Sequence, residues 1–166
     1  MKPKFSFIAL ALTLVFSCKP EPNTNPIPEV LVPENAQPSV RQIMEERKAR
    51  GFQVFDYVDE ATQDTILMQQ YYMAFLKKGP KRITDKAKGD SLQMLHLAHL
   101  TRMYELGYTD ISGPFGDDGD IRGVTIYNTP TLEMADSLAH LDPMVKTGHL
   151  AIEIHPWWAA RGFPLR

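Results

Sequence analysis

The chain has 166 residues, of which 43% are hydrophobic and 23% charged, the balance of one ordinary globular domain with appended segments. Its formal net charge is -2 and its positive charges are interspersed, so we expect no nucleic-acid partner. A single cysteine excludes an internal disulfide and a zinc site built on several thiolates.

The N-terminus has the pattern of a bacterial lipoprotein signal. Two lysines precede an apolar stretch over residues 5–16, which is too short for a comfortable transmembrane helix but suits a signal peptide. The sequence LVFSC at residues 14–18 resembles a lipobox, in which the cysteine carries the lipid. We therefore expect residues 1–17 to be a signal peptide and Cys18 to be lipidated, with an ordinary secretory signal or an uncleaved anchor as alternatives.

Residues 18–38 are expected to form a proline-rich tether. Recurring prolines with intervening Asn and Glu favour extended backbone and bury little apolar surface. Lys19 stands where an aspartate would favour retention in the inner membrane. We therefore expect the protein in the bacterial cell envelope, lipid-anchored to the outer membrane and facing the periplasm.

An N-terminal extension of one helix and one strand, residues 39–65, is predicted next. Ser39 can cap a helix over residues 40–50, which ends before a glycine. Residues 52–58 alternate apolar and polar side chains, as a strand does, and a turn follows over 59–64.

The main domain, residues 66–160, is predicted to be α+β with the order βαββαβ. Pro156 is expected to end its last strand. That order is the split βαβ, or ferredoxin-like, arrangement. The predicted elements are a strand over 66–76, a helix over 86–106, strands over 108–113 and 122–128, a helix over 131–141 and a strand over 149–155.

The first strand of this domain is apolar at successive positions from Tyr71 to Leu76, which indicates that both faces of the sheet are covered. The two helices would cover one face. A partner subunit is the simplest cover for the other, so we expect a homodimer. The N-terminal extension could do part of that work instead.

Two histidines, His96 and His99, fall on the apolar face of the helix over residues 86–106. Each could be a core histidine bonded to a backbone carbonyl, or a base lining a cleft. The apolar residues of that face are Leu92, Leu95, Met103 and Leu106.

The HxxH spacing also allows two metal ligands on one helical face, with His155 or Glu153 as a third. HxxH alone is a weak signal, and we expect no metal. Neither a Walker lysine nor a G-x-S-x-G motif is present, so no cofactor is expected.

Three further segments carry candidate site residues. Asp142 precedes a proline and either ends a helix or orients a histidine. The segment 113–119 is a hairpin turn by default. Trp157 and Trp158 would pack a dimer seam, close a cavity or stack on a ligand.

In this order and spacing, these pieces resemble the YCII-related domain family, over the stretch from Tyr71 to about Trp158. The resemblance covers slightly over half of the chain. The matching segments are Phe75 to Pro80, His96 to Leu100, Gly113 to Gly119, Gly123, Asp142 with Pro143, Gly148, and His155 to Trp158.

This resemblance implies a dimeric α+β barrel and a cleft with a His/Asp pair. Counting back from Gly107, the family's histidine falls on His96 rather than His99, and its aspartate falls on Asp142. One characterised branch of the family eliminates chloride from a chlorinated aromatic diol, while most members have no assigned reaction.

We therefore expect acid–base chemistry, of the lyase or isomerase kind, on a small organic molecule. His96 and Asp142 would be catalytic. A non-catalytic module for ligand binding or dimeric interaction is the alternative. The expected substrate contacts are Gly113, Pro114, Phe115 and Trp157.

Overall fold

The structure is a computed structural model that describes residues 37–165. The predicted signal peptide, Cys18 and nearly all of the predicted tether lie outside these residues and stay predictions. Within residues 37–165, no helix combines the length and the apolar character needed to cross a membrane.

Four helices and five strands make up the described part of the chain. From β2 onward they follow the predicted βαββαβ order, with a short helix α4 added before the last strand. The α+β class is thereby confirmed. The elements are α1 Val40–Ala49, β1 Val54–Val58, β2 Thr65–Lys78, α2 Lys86–Glu105, β3 Thr109–Pro114, β4 Ile121–Tyr127, α3 Leu132–Ala139, α4 Pro143–Lys146 and β5 Leu150–Ala160.

The five strands form one antiparallel sheet in which the long strand β2 is central. β5 pairs with β2 along one edge, and β4 pairs along the other, with β3 outside β4. Met68 and Gln69 pair with both β1 and β5, so β1 lies on the β4 side of β2. The order β5-β2-β4-β3 is that of the ferredoxin-like arrangement.

Helices α2 and α3 cover one face of this sheet. Alternate residues of β2 point to that face, because side chains alternate along a strand. Tyr72 and Ala74 pack against α3, while Leu76 packs against α2. The buried residues of these two clusters are Tyr72, Ala74, Tyr127, Ala135, Ala139, Leu76, Leu92, Met144 and Leu150.

The N-terminal helix α1 covers part of the opposite face. Its apolar residues pack on Phe52, Val54 and Leu67, and Leu67 lies on the face of β2 opposite Tyr72. The Arg47 guanidinium lies 4.9 Å above the centre of the Phe52 ring, an attractive cation–π geometry. The extension therefore shields one end of this face and leaves the rest without a covering helix.

The last strand is longer than predicted. Pro156 was expected to end it, and that expectation is wrong, because β5 continues to Ala160 with Pro156 opposite Tyr72. Within the described residues, β5 pairs only with β2 and is an edge strand. A proline is tolerated on an edge strand, where its nitrogen can face away from the neighbouring strand.

Candidate active site

Helix α2 carries His96 to the sheet. The Asp85 side chain accepts a hydrogen bond from the Lys88 amide and starts the helix, and Gly107 ends it with a φ of 74°. His96 is buried with Leu92 and Met103, whereas the predicted core residues Leu95 and Leu106 are exposed. The buried face of α2 is narrower than the apolar pattern of its sequence indicated. Leu95 lies at the edge of that face, and Leu106 is the C-terminal cap of the helix.

His96 and Asp142 are in direct contact. The Nδ1 atom of His96 lies 2.5 Å from the Oδ2 atom of Asp142. The two residues are 8% and 3% exposed, so water does not compete for this hydrogen bond. Of the two alternatives for His96, a partner on the backbone is excluded by this geometry, since the ring is held by a carboxylate.

The second oxygen of Asp142 starts helix α4. Asp142 Oδ1 accepts a hydrogen bond of 2.8 Å from the Met144 amide, and Pro143 occupies the first helical position. Because a carboxylate only accepts hydrogen bonds, the proton of the contact sits on His96 Nδ1. In the neutral ring, Nε2 is then unprotonated, which is the form of a general base.

His96 lines a cavity of about 380 Å³ between α2 and the sheet, and Asp142 lies behind the ring rather than in the cavity wall. Among the described residues, Nε2 makes no hydrogen bond, so it remains available to a ligand. The lining residues are Leu76, Arg82, Gln93, His96, Leu97, Leu100, Ser112, Gly113, Pro114, Arg122, Gly123, Val124, Thr125, Met144, His149 and Leu150.

One side of the cavity is built by the loop after β2, which is bound to the start of β5. The amide of Gly79 donates to the carbonyl of His149 at 2.9 Å, and the amide of Lys81 donates to the carbonyl of Gly148 at 3.0 Å. A Cβ atom on Gly79 would lie 2.2 Å from the Gly148 carbonyl oxygen, so only glycine permits this approach. This contact brings Arg82 and His149 to the cavity.

His149 is fixed in the opposite tautomer to His96. Its Nδ1 accepts a hydrogen bond of 3.2 Å from the Ile83 amide, so the proton of the neutral ring sits on Nε2. Burial, with the nearby Arg82 charge, lowers the pKa of His149 and favours this neutral ring. The wall therefore holds one imidazole that can accept a proton and one that can donate a hydrogen bond.

His99 takes no part in this pair. Its Nε2 atom is buried and makes no hydrogen bond within residues 37–165. Burial lowers the pKa of His99, and the charge of Asp142 opposes that effect only in part. His99 does not line the cavity.

The four expected substrate contacts fall in different places. Gly113 and Pro114 line the His96 cavity. Phe115 is 45% exposed and lies outside its wall. Trp157 pairs with Tyr71 on the sheet face opposite α2 and lines a separate cavity of about 610 Å³, so it cannot reach a ligand beside His96.

The alternative metal set is not brought together. His155 bonds Glu153 at 2.8 Å and packs on Phe75, which places both on the sheet face away from α2. Within residues 37–165, no three His, Cys, Asp or Glu side chains are grouped as metal ligands.

The structure adds residues that the sequence analysis missed: Arg82, Arg122, His149 and Thr125 all line the cavity. Arg82 lies between the strand predicted over residues 66–76 and the helix predicted over 86–106. The only sequence signal that bears on it is the KKGPKR stretch, where a glycine permits a close backbone contact.

Comparison with known proteins gives only a distant likeness in structure. No protein-family model matches the chain, and no curated protein matches it significantly. Among solved structures, it is similar to a 5-chloro-2-hydroxyhydroquinone dehydrochlorinase from Burkholderia phenoliruptrix AC1100, in complex with 2,5-dihydroxybenzoquinone. The identity is 21%, the match covers 52% of this chain and 92% of that chain, and the TM-score is 0.40. A likeness of that extent assigns neither a family nor a reaction to this chain.

Proposed function

We propose that this chain is a YCII-related protein that performs acid–base chemistry on a small organic molecule, with His96 as the base and Asp142 as the residue that orients it. The observation that carries the proposal is the buried 2.5 Å contact between Asp142 and Nδ1 of His96, whose ring lines a cavity. A small-molecule cavity with a converging ionisable pair is the usual form of an active site.

The reaction begins with proton removal from carbon. His96 Nε2 takes the proton, and the electron pair of the broken C–H bond forms a new double bond. In an elimination, the neighbouring carbon loses a leaving group with its bonding electrons; in an isomerisation, the proton returns at another carbon. Asp142 holds the Nδ1–H throughout and stabilises the imidazolium that forms, as a buried carboxylate does behind a catalytic histidine.

Proton abstraction can be tested without knowing the substrate. We would incubate the full-length protein in D₂O with small ketones and keto acids and follow deuterium entry beside the carbonyl by proton NMR. A positioned base contributes about 10²–10⁴-fold, so His96→Asn should lower the exchange rate of any active compound by about 100-fold or more. Equal rates in the wild type and in His96→Asn would contradict the assignment of His96 as the base.

A non-catalytic module is the second candidate, and one observation favours it. The sheet face away from α2 and α3 exposes large apolar side chains, including Trp157 and Ile111, which is typical of an interaction surface. If this surface is the functional one, loss of His96 leaves the biological partner bound, whereas loss of Trp157 releases it.

The same face supports a homodimer. Tyr71 and Ile126 are already buried there, and Trp157 packs on Tyr71 with ring centres 6.3 Å apart. A second copy could bury the remainder by two-fold symmetry and form a barrel from two sheets. We propose that arrangement as the oligomeric state of the domain.

The cell-envelope location is also part of the proposal. It rests on the apolar N-terminal stretch and on Cys18 in its lipobox-like setting. Cys18→Ser should abolish incorporation of a labelled fatty acid and prevent mature protein from staying with the membrane fraction. Continued labelling of the variant would refute lipidation at Cys18.

A further inference from the structure

The wall of the His96 cavity carries positive charge without negative charge. Arg82 and Arg122 both line it, and no Asp or Glu is among the lining residues. Two guanidinium groups in a partly enclosed site attract an anion, since the low-dielectric walls reduce screening by water.

The two arginines differ in how far their charges are compensated. Arg122 donates to Asp118 Oδ1 at 2.7 Å and is also held by backbone carbonyls of the turn before β4. Arg82 instead donates to the carbonyl of His149 at 3.1 Å, and within residues 37–165 no carboxylate lies in ion-pair distance of it. Arg82 therefore supplies the charge that is free to bind a ligand.

Two further polar residues, His149 and Thr125, belong to the cavity wall. His149 carries its proton on Nε2, because its Nδ1 accepts the hydrogen bond from the Ile83 amide. The hydroxyl of Thr125 is buried and has no hydrogen-bond partner among the described residues. Thr125 belongs to the cavity wall, but its hydroxyl is not accessible from the cavity in this arrangement.

The buried carboxylate of Asp142 does not contact a ligand in this cavity. Both of its oxygens are occupied, one by the Met144 amide and one by His96 Nδ1, and the imidazole ring separates it from the cavity. The remaining walls are apolar and can hold the uncharged body of a ligand. The apolar lining residues are Leu76, Leu97, Leu100, Val124, Met144 and Leu150.

We infer that the ligand of this cavity is a small organic anion with an apolar body, such as a carboxylate, and that Arg82 is the side chain that holds its charge. This inference rests on the proposed function, since the same molecule would present its C–H bond to His96. The Arg82 guanidinium would also stabilise the negative charge that develops when the proton leaves carbon.

The test compares matched pairs of charged and neutral molecules. Acetate, butyrate and benzoate, each with its amide, are titrated into the full-length protein while NMR signals of Leu97 and Leu100 are followed. We expect at least one carboxylate to bind roughly tenfold tighter than its amide. Arg82→Gln should weaken the carboxylate about three- to tenfold and leave the amide unchanged, the net loss typical of one hydrogen bond.

The matched control is Arg41→Gln. Arg41 is an exposed arginine on α1 that pairs with Glu45, and neither residue lines the cavity. It should change neither affinity. The inference is overturned if no carboxylate binds tighter than its amide, or if Arg82→Gln leaves the carboxylate affinity as it was.

The same NMR samples distinguish a failure of the anion inference from a failure of the acid–base proposal. The protonated nitrogen of His96 can be read from its ¹⁵N chemical shifts. If His96 carries its proton on Nδ1 but carboxylates bind no better than amides, the anion inference fails and the acid–base proposal stands. If His96 carries its proton on Nε2, the acid–base proposal itself fails.

Discussion

The carboxylate of Asp142 joins two structural elements through its two oxygens. Oδ2 lies 2.5 Å from His96 Nδ1 on α2, and Oδ1 accepts a 2.8 Å hydrogen bond from the Met144 amide at the start of α4. The capping bond fixes the direction of the carboxylate, and the carboxylate in turn fixes the ring. The orientation of His96 Nε2 toward the cavity therefore depends on a helix of four residues.

Asp142→Asn should destabilise the protein by about 1–3 kcal/mol. An amide has one accepting oxygen. If that oxygen keeps the cap of α4, the NH₂ group faces His96 and can donate only to the ring with its proton on Nε2; otherwise the cap is lost. Urea denaturation of the full-length protein measures this change in the free energy of unfolding.

The control for that variant is Asp136→Asn, which alters a second His/Asp pair of this chain. Asp136 lies 3.3 Å from His140, and both side chains are more than half exposed. An exposed pair contributes little, so the change should stay within about 0.5 kcal/mol. Equal losses of stability in Asp142→Asn and Asp136→Asn would contradict the idea that burial strengthens the contact of Asp142 with His96.

Gly79→Ala should displace the loop that forms one side of the His96 cavity. The new Cβ would lie 2.2 Å from the Gly148 carbonyl oxygen, so the loop carrying Arg82 must move away from β5. Overpacking of this kind destabilises by about 1–3 kcal/mol. Thermal unfolding with NMR of His149 would detect both the lower stability and the displaced loop.

Gly89→Ala provides the matched glycine control. Gly89 lies within α2, and a Cβ there would meet no atom within 4 Å. Alanine is favoured over glycine in a helix, so this variant should gain about 0.5–1 kcal/mol. We expect the free energy of unfolding to decrease in Gly79→Ala and to increase in Gly89→Ala.

Acidification should destabilise the fold through His99. Burial lowers the pKa of His99 in the folded state, while an unfolded histidine has a pKa of about 6.5. The unfolded chain therefore binds more protons below that pH, so stability is full above about pH 6.5 and falls as the pH drops toward the folded pKa. In urea denaturation at several pH values, the free energy of unfolding of His99→Gln should fall less steeply with acidification than that of the wild type. An equally steep fall would mean that other groups cause the acid destabilisation.

Trp157→Arg should dissociate the proposed homodimer. Trp157 is 41% exposed on the sheet face that the helices α2 and α3 leave open, and a charge there would be buried on dimerisation. Tyr104→Arg is the control, because Tyr104 is 65% exposed on α2. Sedimentation analysis should give monomer for the first variant and dimer for the second, and a monomeric wild type would rule out the dimer.

The repeating patterns of the sequence predicted most of the fold. The helix predicted over residues 86–106 ends within one residue of the observed end of α2, and Ser39 caps α1 as expected. Two proline signals were misread. Pro156 lies on an edge strand where it breaks nothing, and Asp142 with Pro143 starts a helix as well as following one.

The candidate site was only half predictable. His96 and Asp142 were identified by their resemblance to a family motif, and the structure places them in contact. Arg82 and His149 could not be anticipated, because they reach the cavity through a backbone contact between a loop and a distant strand. Such contacts leave no periodic trace in a sequence.

The central claim is that His96 stands on the cavity wall as a base with its proton on Nδ1. The most direct measurement is the long-range ¹H–¹⁵N NMR spectrum of the imidazole rings at pH 8, recorded on the full-length protein. We predict the Nδ1–H tautomer for His96 and the Nε2–H tautomer for His149, each set by its partner at Nδ1. An Nε2–H tautomer for His96 would mean that Asp142 does not hold the ring, and would contradict the account.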